Sequence, residues 1–177
     1  MLQALQRAIR QFCLDTEIWS ETLDSIDLVE DKKAYSISST WEAEIRRIKE
    51  LRINTEDNIS EGNDGVVKDP SLYKFVPPDA LDLTNDLKPA EDVTDGLEVE
   101  IWIIPRITAT TVDPTLLENW MEPVMGHALA FLMNMRRKKW SNPERAAYYN
   151  LQYAKGRVKA KSEKVRENRV ENPGLSA

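Results

Sequence analysis

The residues of this sequence that could perform acid–base or nucleophilic chemistry are few and far apart. His127 is the only histidine and Cys13 the only cysteine. Any Ser-His-Asp or Cys-His arrangement would have to use His127, because histidine is the general base that such nucleophiles need. His127 lies between Gly126 and Ala128 in an apolar segment, which favours a packed or half-exposed side chain. We therefore predict that the protein is not an enzyme.

Metal and cofactor sites are not predicted either. One histidine and one cysteine more than a hundred positions apart give no ligand spacing and no disulfide. Six carboxylates crowd the middle of the chain but lack the Asp-x-Asp-x-Asp-Gly order of a calcium loop. We interpret these six residues as a solvated acidic region: Asp79, Asp82, Asp86, Glu91, Asp92 and Asp95.

Basic residues give the stronger signals, and the first is the run Arg136-Arg137-Lys138-Lys139 followed by Trp140. Clustered cations beside an aromatic ring can bind a nucleic-acid backbone. The alternative is a helix C-terminus, whose dipole favours cations, with Trp140 packed into the core. Both interpretations stay open at this point.

The second basic signal is a series of cations in the last part of the chain, opposed only by Glu163 and Glu167. A solvated helix usually mixes the two signs, so this series predicts a binding surface. Its members are Lys155, Arg157, Lys159, Lys161, Lys164, Arg166 and Arg169.

The charge of the chain divides sharply along its length. Residues 1–135 hold 12 Lys and Arg against 26 Asp and Glu, a net −14, whereas residues 136–177 hold 12 against 4, a net +8. The total is the −6 of the whole chain. An acidic body with a basic tail points to a polyanion or an acidic protein surface as partner, without choosing between them.

Helices are predicted at both ends of the chain. An amphipathic helix of about residues 1–18 follows from Leu2, Leu5, Ile9 and Phe12 at spacings of three and four. Asp113-Pro114 is a typical helix start, and helices continue from there to about residue 157. Ser141 and Glu144 have the spacing of a capping box for the second of these helices. No apolar run approaches the ~20 residues that a membrane span needs.

Strands are predicted for the middle of the chain, as a β-insertion of about residues 24–108. Its clearest member alternates at Leu97, Val99, Ile101 and Ile103, a face that should be core. The segment 45–53 is ambiguous, and we interpret it as a short turn entering a strand. Between 55 and 96 turn-forming residues allow only brief strands.

The order of these elements resembles a known family, the head-to-tail adaptor proteins of tailed bacteriophages, of the connector or tail tubular A type. The resemblance rests on segments spread over most of the chain rather than on one motif. They are Phe12-Cys13-Leu14-Asp15-Thr16-Glu17-Ile18-Trp19, Ala34-Tyr35-Ser36-Ile37, Glu44-Ile45-Arg46-Arg47-Ile48, Val99 to Pro105, Gly126-His127-Ala128-Leu129-Ala130, and Trp140-Ser141-Asn142-Pro143 with Ala146-Ala147-Tyr148-Tyr149.

The resemblance implies an α+β fold, with a helical bundle built from the N-terminal and C-terminal helices around an inserted antiparallel β-region. It implies a homo-oligomeric ring, usually a dodecamer, that docks on the portal protein at the head-tail junction of the virion and leads to downstream tail or nozzle proteins. Such a protein is assembled in the cytoplasm of the host bacterium, and viral DNA passes through the ring without specific binding.

Within this scheme we expect an adaptor domain of residues 1–157 and a basic portal-binding arm of residues 158–177, which has few apolar positions and should not pack on the bundle. The seven cations from Lys155 to Arg169 are then the portal-binding residues. The chief alternative is a nucleic-acid-binding protein that uses the basic C-terminal helix. A small enzyme is the least supported reading, because no acid–base pair can be assembled.

Overall fold

The computed structural model describes residues 2–54 and 66–171, with side chains through residue 166. The described chain is α+β, with three helices and antiparallel sheets. It divides into two compact units, a helical unit of residues 1–19 and 105–177 and a sheet unit of residues 20–104. The sequence-based boundaries for the inserted strands were about 24 and 108, within a few residues of this division.

The helical unit contains α1 (Leu2–Thr16), α2 (Pro114–Met133) and α3 (Pro143–Glu171), each of which contacts the other two. In α1 the predicted apolar positions Ile9 and Phe12 are buried, but Leu2 is 68% exposed. Small residues complete the buried face instead, since Ala4, Ala8 and Cys13 let the neighbouring helices approach closely.

Side-chain caps fix the starts of the two long helices. The Asp113 carboxylate accepts the backbone N–H of Thr115 at 2.8 Å, which confirms the predicted start of α2. For α3 the predicted capping box is wrong. The side chain of Asn142, not Ser141, accepts the backbone N–H of Arg145 at 3.0 Å, because α3 begins at Pro143 and Asn142 is the residue before it.

Three aromatic rings, one from each helix, form the centre of the helical unit. The ring of Phe12 on α1 lies 5.6 Å from that of Trp120 on α2 and 6.2 Å from that of Tyr153 on α3. Phe12, Trp120 and Tyr153 are all buried. This cluster therefore joins the first and last parts of the chain.

Helices α2 and α3 approach each other closely where Pro123 meets Gly156. A Cβ atom added to Gly156 would lie 2.3 Å from the Cβ of Pro123, far inside contact distance. Pro123 is itself buried within α2. Gly156 is thus required by the packing of α3 on Pro123, although glycine lowers helix propensity.

Helix α3 continues unbroken through the predicted boundary between residues 157 and 158. Beyond that boundary Ala160 is fully buried, and the Lys164 ammonium bonds the Glu17 carboxylate at 2.8 Å. The expectation that residues from 158 on do not pack is therefore wrong for their described part, because a small alanine and an ion pair replace the large apolar residues that were missing. Residues 172–177 lie outside the described residues.

The larger sheet of the sheet unit is built around one long strand. Its strands are β1 (Ser20–Thr22), β2 (Ile26–Leu28), β4 (Ala43–Ile53), β5 (Val66–Val67) and β8 (Val93–Pro105). β8 is central, since β1 and β2 pair antiparallel with it on one side and β4 on the other. The predicted core face is confirmed, because Leu97, Val99, Ile101 and Ile103 are fully buried.

One region of the sheet unit differs from the pattern-based expectation, and a second region agrees with it. β4 is one eleven-residue strand, not a turn entering a strand, because pairing with β8 overrides the local helical spacing of Ile45, Ile48 and Leu51. A smaller sheet orders β3 (Ala34–Ser36), β7 (Ala80–Leu83) and β6 (Tyr73–Val76) antiparallel. These brief strands agree with the prediction for residues 55–96.

None of the helices within the described ranges is long and apolar enough to cross a bilayer.

Trp120→Ala should lower the free energy of unfolding by roughly 3–5 kcal/mol, because it removes a buried ring that contacts Phe12 and leaves a cavity. Chemical denaturation of the purified variant measures the change. A loss below about 1 kcal/mol would contradict the assigned core face of α2.

Gly156→Ala should also destabilise the protein, by about 1–3 kcal/mol, because the added methyl group would overlap Pro123. Helix propensity alone predicts the opposite sign, a gain of up to ~1 kcal/mol. Asn150→Ala, at an exposed position of the same helix, is the matched control and should be neutral or stabilising. A stabilised Gly156→Ala variant would show that the two helices do not meet at this residue.

Candidate functional site

The two side chains most capable of covalent or acid–base chemistry have structural surroundings. Cys13 is fully buried, and burial raises the pKa of its thiol to about 12, so the thiol stays protonated. His127 is half-buried with its ring stacked on Tyr153, the centroids 4.3 Å apart. Burial lowers the pKa of His127 against the opposing effect of the Asp15 carboxylate. His127 is therefore held neutral as a packing residue.

The acidic residues predicted to form a solvated region serve partly as turn caps. Asp92 accepts the backbone N–H of Glu30, and Asp95 accepts the hydroxyl of Ser25 while its own backbone N–H bonds Asp27. Asp95 has a positive φ of 53°, which these bonds hold in place. Within residues 2–54 and 66–171 there is no group of three His, Cys, Asp or Glu placed to hold a metal.

The Asp15 carboxylate near the end of α1 is the main polar contact between α1 and α3. One oxygen accepts the Tyr153 hydroxyl at 2.8 Å and the Arg157 guanidinium at 2.9 Å, and the other accepts the Gln11 amide at 2.8 Å. These bonds hold the pKa of Asp15 below its ordinary value of 3.8, although burial opposes them. Burial of its ring raises the pKa of Tyr153, and the hydrogen bond to the Asp15 carboxylate adds to this effect.

Two of the seven predicted binding cations are used inside the protein. Arg157 pairs with Asp15. Lys164, about two helical turns further along α3, pairs with Glu17 at 2.8 Å. The Lys164 side chain is only 17% exposed. Both cations thus attach α3 to the end of α1, and the Arg157 side chain is still 43% exposed.

The remaining described cations of the set point outward. Lys159 lies 5.6 Å above the Trp120 ring and 3.6 Å from Glu163. Lys155, Lys161 and Arg166 are exposed and form no ion pair with any residue that the structure describes. The side chain of Arg169 lies outside the described residues. Of the six side chains of this set that the structure describes, three therefore form no ion pair with another described residue.

Between these free cations runs an apolar stripe that sequence reasoning missed. Leu151, Val158 and Val165 are 53%, 67% and 52% exposed. Their spacing of seven residues aligns them along one side of α3 over about 21 Å, as in the seam of a coiled coil. Lys155 and Lys161 flank the stripe, each three or four residues from its members. We call these residues, with Arg166, the α3 docking face.

The basic run near Trp140 does not fit the interpretation as a helix C-terminus with a buried Trp140. Helix α2 ends at Met133, so Arg136–Lys139 lie in the loop before α3 and not at a helix C-terminus. Trp140 is 55% exposed, and its expected packing into the core is wrong. The reason is that the loop folds back on itself through its own backbone and presents the ring outward. The exposed cations and the exposed Trp140 ring remain compatible with the nucleic-acid interpretation.

The two units also carry net charges of opposite sign, although the difference between them is smaller than in the split at residue 135. Residues 20–104 hold 9 Lys and Arg against 21 Asp and Glu, a net −12. Residues 1–19 and 105–177 hold the other 15 against 9, a net +6, and the two values give the −6 of the chain. The helical unit is therefore the basic unit, and the sheet unit is the acidic one.

The stability of the helical unit should decrease below neutral pH because of His127. Its folded-state pKa lies below the ordinary value of 6.5, so its contribution is complete above pH 6.5 and is lost as the pH falls through the folded-state pKa. His127→Gln, which cannot titrate, should flatten the free energy of unfolding between about pH 7 and pH 5. Denaturant titrations at several pH values test this. A variant that keeps the full wild-type slope would exclude His127 as the cause.

Comparisons with known proteins leave the family open. No protein-family model matches the chain, and no curated protein matches it. The resemblance to phage adaptors therefore stays a prediction, and function is argued from the surfaces described above.

Proposed function

We propose that this protein is a structural subunit that docks on other proteins through the α3 docking face, in the role of a head-to-tail adaptor of a tailed bacteriophage. In this role the three helices act as a bundle with the sheet unit as its insertion. A ring of copies, by analogy a dodecamer, docks on the portal at the head-tail junction and connects it to tail or nozzle proteins.

The α3 docking face is the observation that carries this proposal. Leu151, Val158 and Val165 expose apolar surface that gains free energy when a partner covers it, at about 25 cal/mol per Å². The free cations beside them favour an acidic partner surface and suppress basic ones. An apolar seam edged by charge is the pattern of a helix that packs on another protein.

The acidic sheet unit supports the proposed DNA channel. A surface of net −12 repels the phosphate backbone, so DNA could slide past it without binding. The basic helical unit is suited to protein contacts with an acidic portal surface. The portal-binding arm of the proposal is then the outward side of α3, from about Leu151 onward, rather than a segment that begins at residue 158.

Nucleic-acid binding remains the second candidate function, because Arg136–Lys139 and the exposed Trp140 ring lie together in one loop. The α3 docking face disfavours it as the main role, since leucine and valine side chains gain nothing from a phosphate backbone. A salt-dependent affinity for DNA in the absence of any protein partner is the property that would distinguish it.

Docking on the portal should depend on the α3 docking face. Val158→Asp with Val165→Asp should weaken binding of the intact protein to the portal of the same virus at least about tenfold, because charge replaces apolar contact area. Lys155→Glu with Lys161→Glu should weaken it similarly and abolish its dependence on salt. Surface plasmon resonance measures affinity, and electron microscopy of the mixture shows whether rings form.

Exposed substitutions away from the face are the matched control. Arg136→Glu with Lys139→Glu changes the net charge by the same amount as the Lys155/Lys161 pair and should leave portal affinity within about threefold. All variants should keep the wild-type melting temperature, because every substituted side chain is exposed. Full-affinity docking by the Val158/Val165 variant would refute the proposal, and tight salt-dependent DNA binding lost in the Arg136/Lys139 variant would establish the alternative.

A further inference from the structure

A separate apolar pocket lies where α2 ends. It has a volume of about 370 Å³ and is lined by Leu129, Leu132, Met133 and Trp140. The first three come from the last turns of α2, and Trp140 comes from the loop that leads to α3. The walls are aliphatic and aromatic side chains, and a cavity of this size is in the range that holds a small ligand or an anchoring side chain.

The loop that completes the pocket is closed by its own backbone. The N–H of Asn142 donates to the Met133 carbonyl at 3.0 Å, and the N–H of Ser141 donates to the Lys138 carbonyl at 3.0 Å. Arg137 has a φ of 62°, a left-handed conformation that a non-glycine residue keeps only where its surroundings impose it. The Trp140 ring is therefore positioned before any partner binds, which reduces the entropy cost of binding.

Four cations lie on the same loop, between Met133 and Trp140, which both line the pocket. Arg136, Arg137, Lys138 and Lys139 are exposed, and none of them forms an ion pair with a residue that the structure describes. The Lys138 ammonium lies 5.8 Å above the Trp140 ring. The loop that supplies one wall of this apolar pocket thus carries four unpaired cations, one of which lies over that wall.

We infer that this pocket binds an apolar side chain of an acidic peptide segment that belongs to a partner protein. The unpaired cations select the acidic segment, and the pocket selects its apolar anchor. A nucleobase fits less well, because its polar edge would lose water against Leu129, Leu132 and Met133 without gaining a hydrogen bond. The inference does not depend on the adaptor role, since the pocket residues are not part of the α3 docking face.

Selection from a library of random twelve-residue peptides, with the intact protein as target, tests the inference. We expect the enriched peptides to share a Leu, Met, Phe or Trp with Asp or Glu on both sides. A synthetic peptide of the enriched sequence should lose at least about tenfold in affinity for Trp140→Ala and for Arg136→Glu with Lys139→Glu. Replacing its anchor by Ala should have the same effect. Affinity for the equally charged Arg46→Glu, Lys74→Glu control, at exposed positions of the sheet unit, should change less than about threefold.

Five results would overturn the inference, and four of them concern peptide binding and self-association. They are a selection that enriches nothing, enriched peptides without the acidic and apolar pattern, binding that is indifferent to Trp140→Ala, and self-association that Trp140→Ala abolishes in sedimentation experiments. The last would assign the pocket to a second copy. A twelve-nucleotide single strand that binds more tightly than the selected peptide, and competes with it, would assign the loop to nucleic acid instead. Circular dichroism melts of each variant exclude unfolding as the cause of lost binding.

Discussion

The carboxylate of Asp15 is the contact on which the orientation of the C-terminal helix depends. It accepts hydrogen bonds from Tyr153 and Arg157. The Glu17 carboxylate pairs with Lys164, about two helical turns after Arg157. These bonds, with the close approach at Gly156, fix which side of α3 turns inward. The face that carries Leu151, Val158 and Val165 is outward because the opposite faces are occupied.

The separation of charge between the units follows from composition but has a physical cost. Fifteen cations on the helical unit and twenty-one acids on the sheet unit repel within each unit. In the helical unit part of this repulsion is relieved by the pairs to Asp15 and Glu17. Seven of the remaining cations lie on the docking face and on the Trp140 loop. Both surfaces are therefore suited to acidic partners, whichever proteins those are.

Sequence patterns predicted the elements better than the surfaces. The core face of β8 and the Asp113 cap could be found because each depends on residues close in sequence. The roles of Arg157 and Lys164 could not, since their partners are more than 140 positions away on α1. Leu151, Val158 and Val165 are spaced seven residues apart, which the sequence shows. The same spacing also fits a buried helix face, so only the exposure of the three side chains identifies an outward stripe. The Trp140 loop is set by backbone hydrogen bonds that no side-chain pattern reports.

The bond between Asn142 and Met133 closes the Trp140 loop at its base, so the two helix ends stay together whatever lies between them. Residues 134–141 can consequently vary in length and composition without disturbing the packing of α2 on α3. Recognition and folding are uncoupled at this point of the chain. Related proteins could change partner by exchanging eight residues, as an interchangeable module, while the scaffold that carries it stays the same.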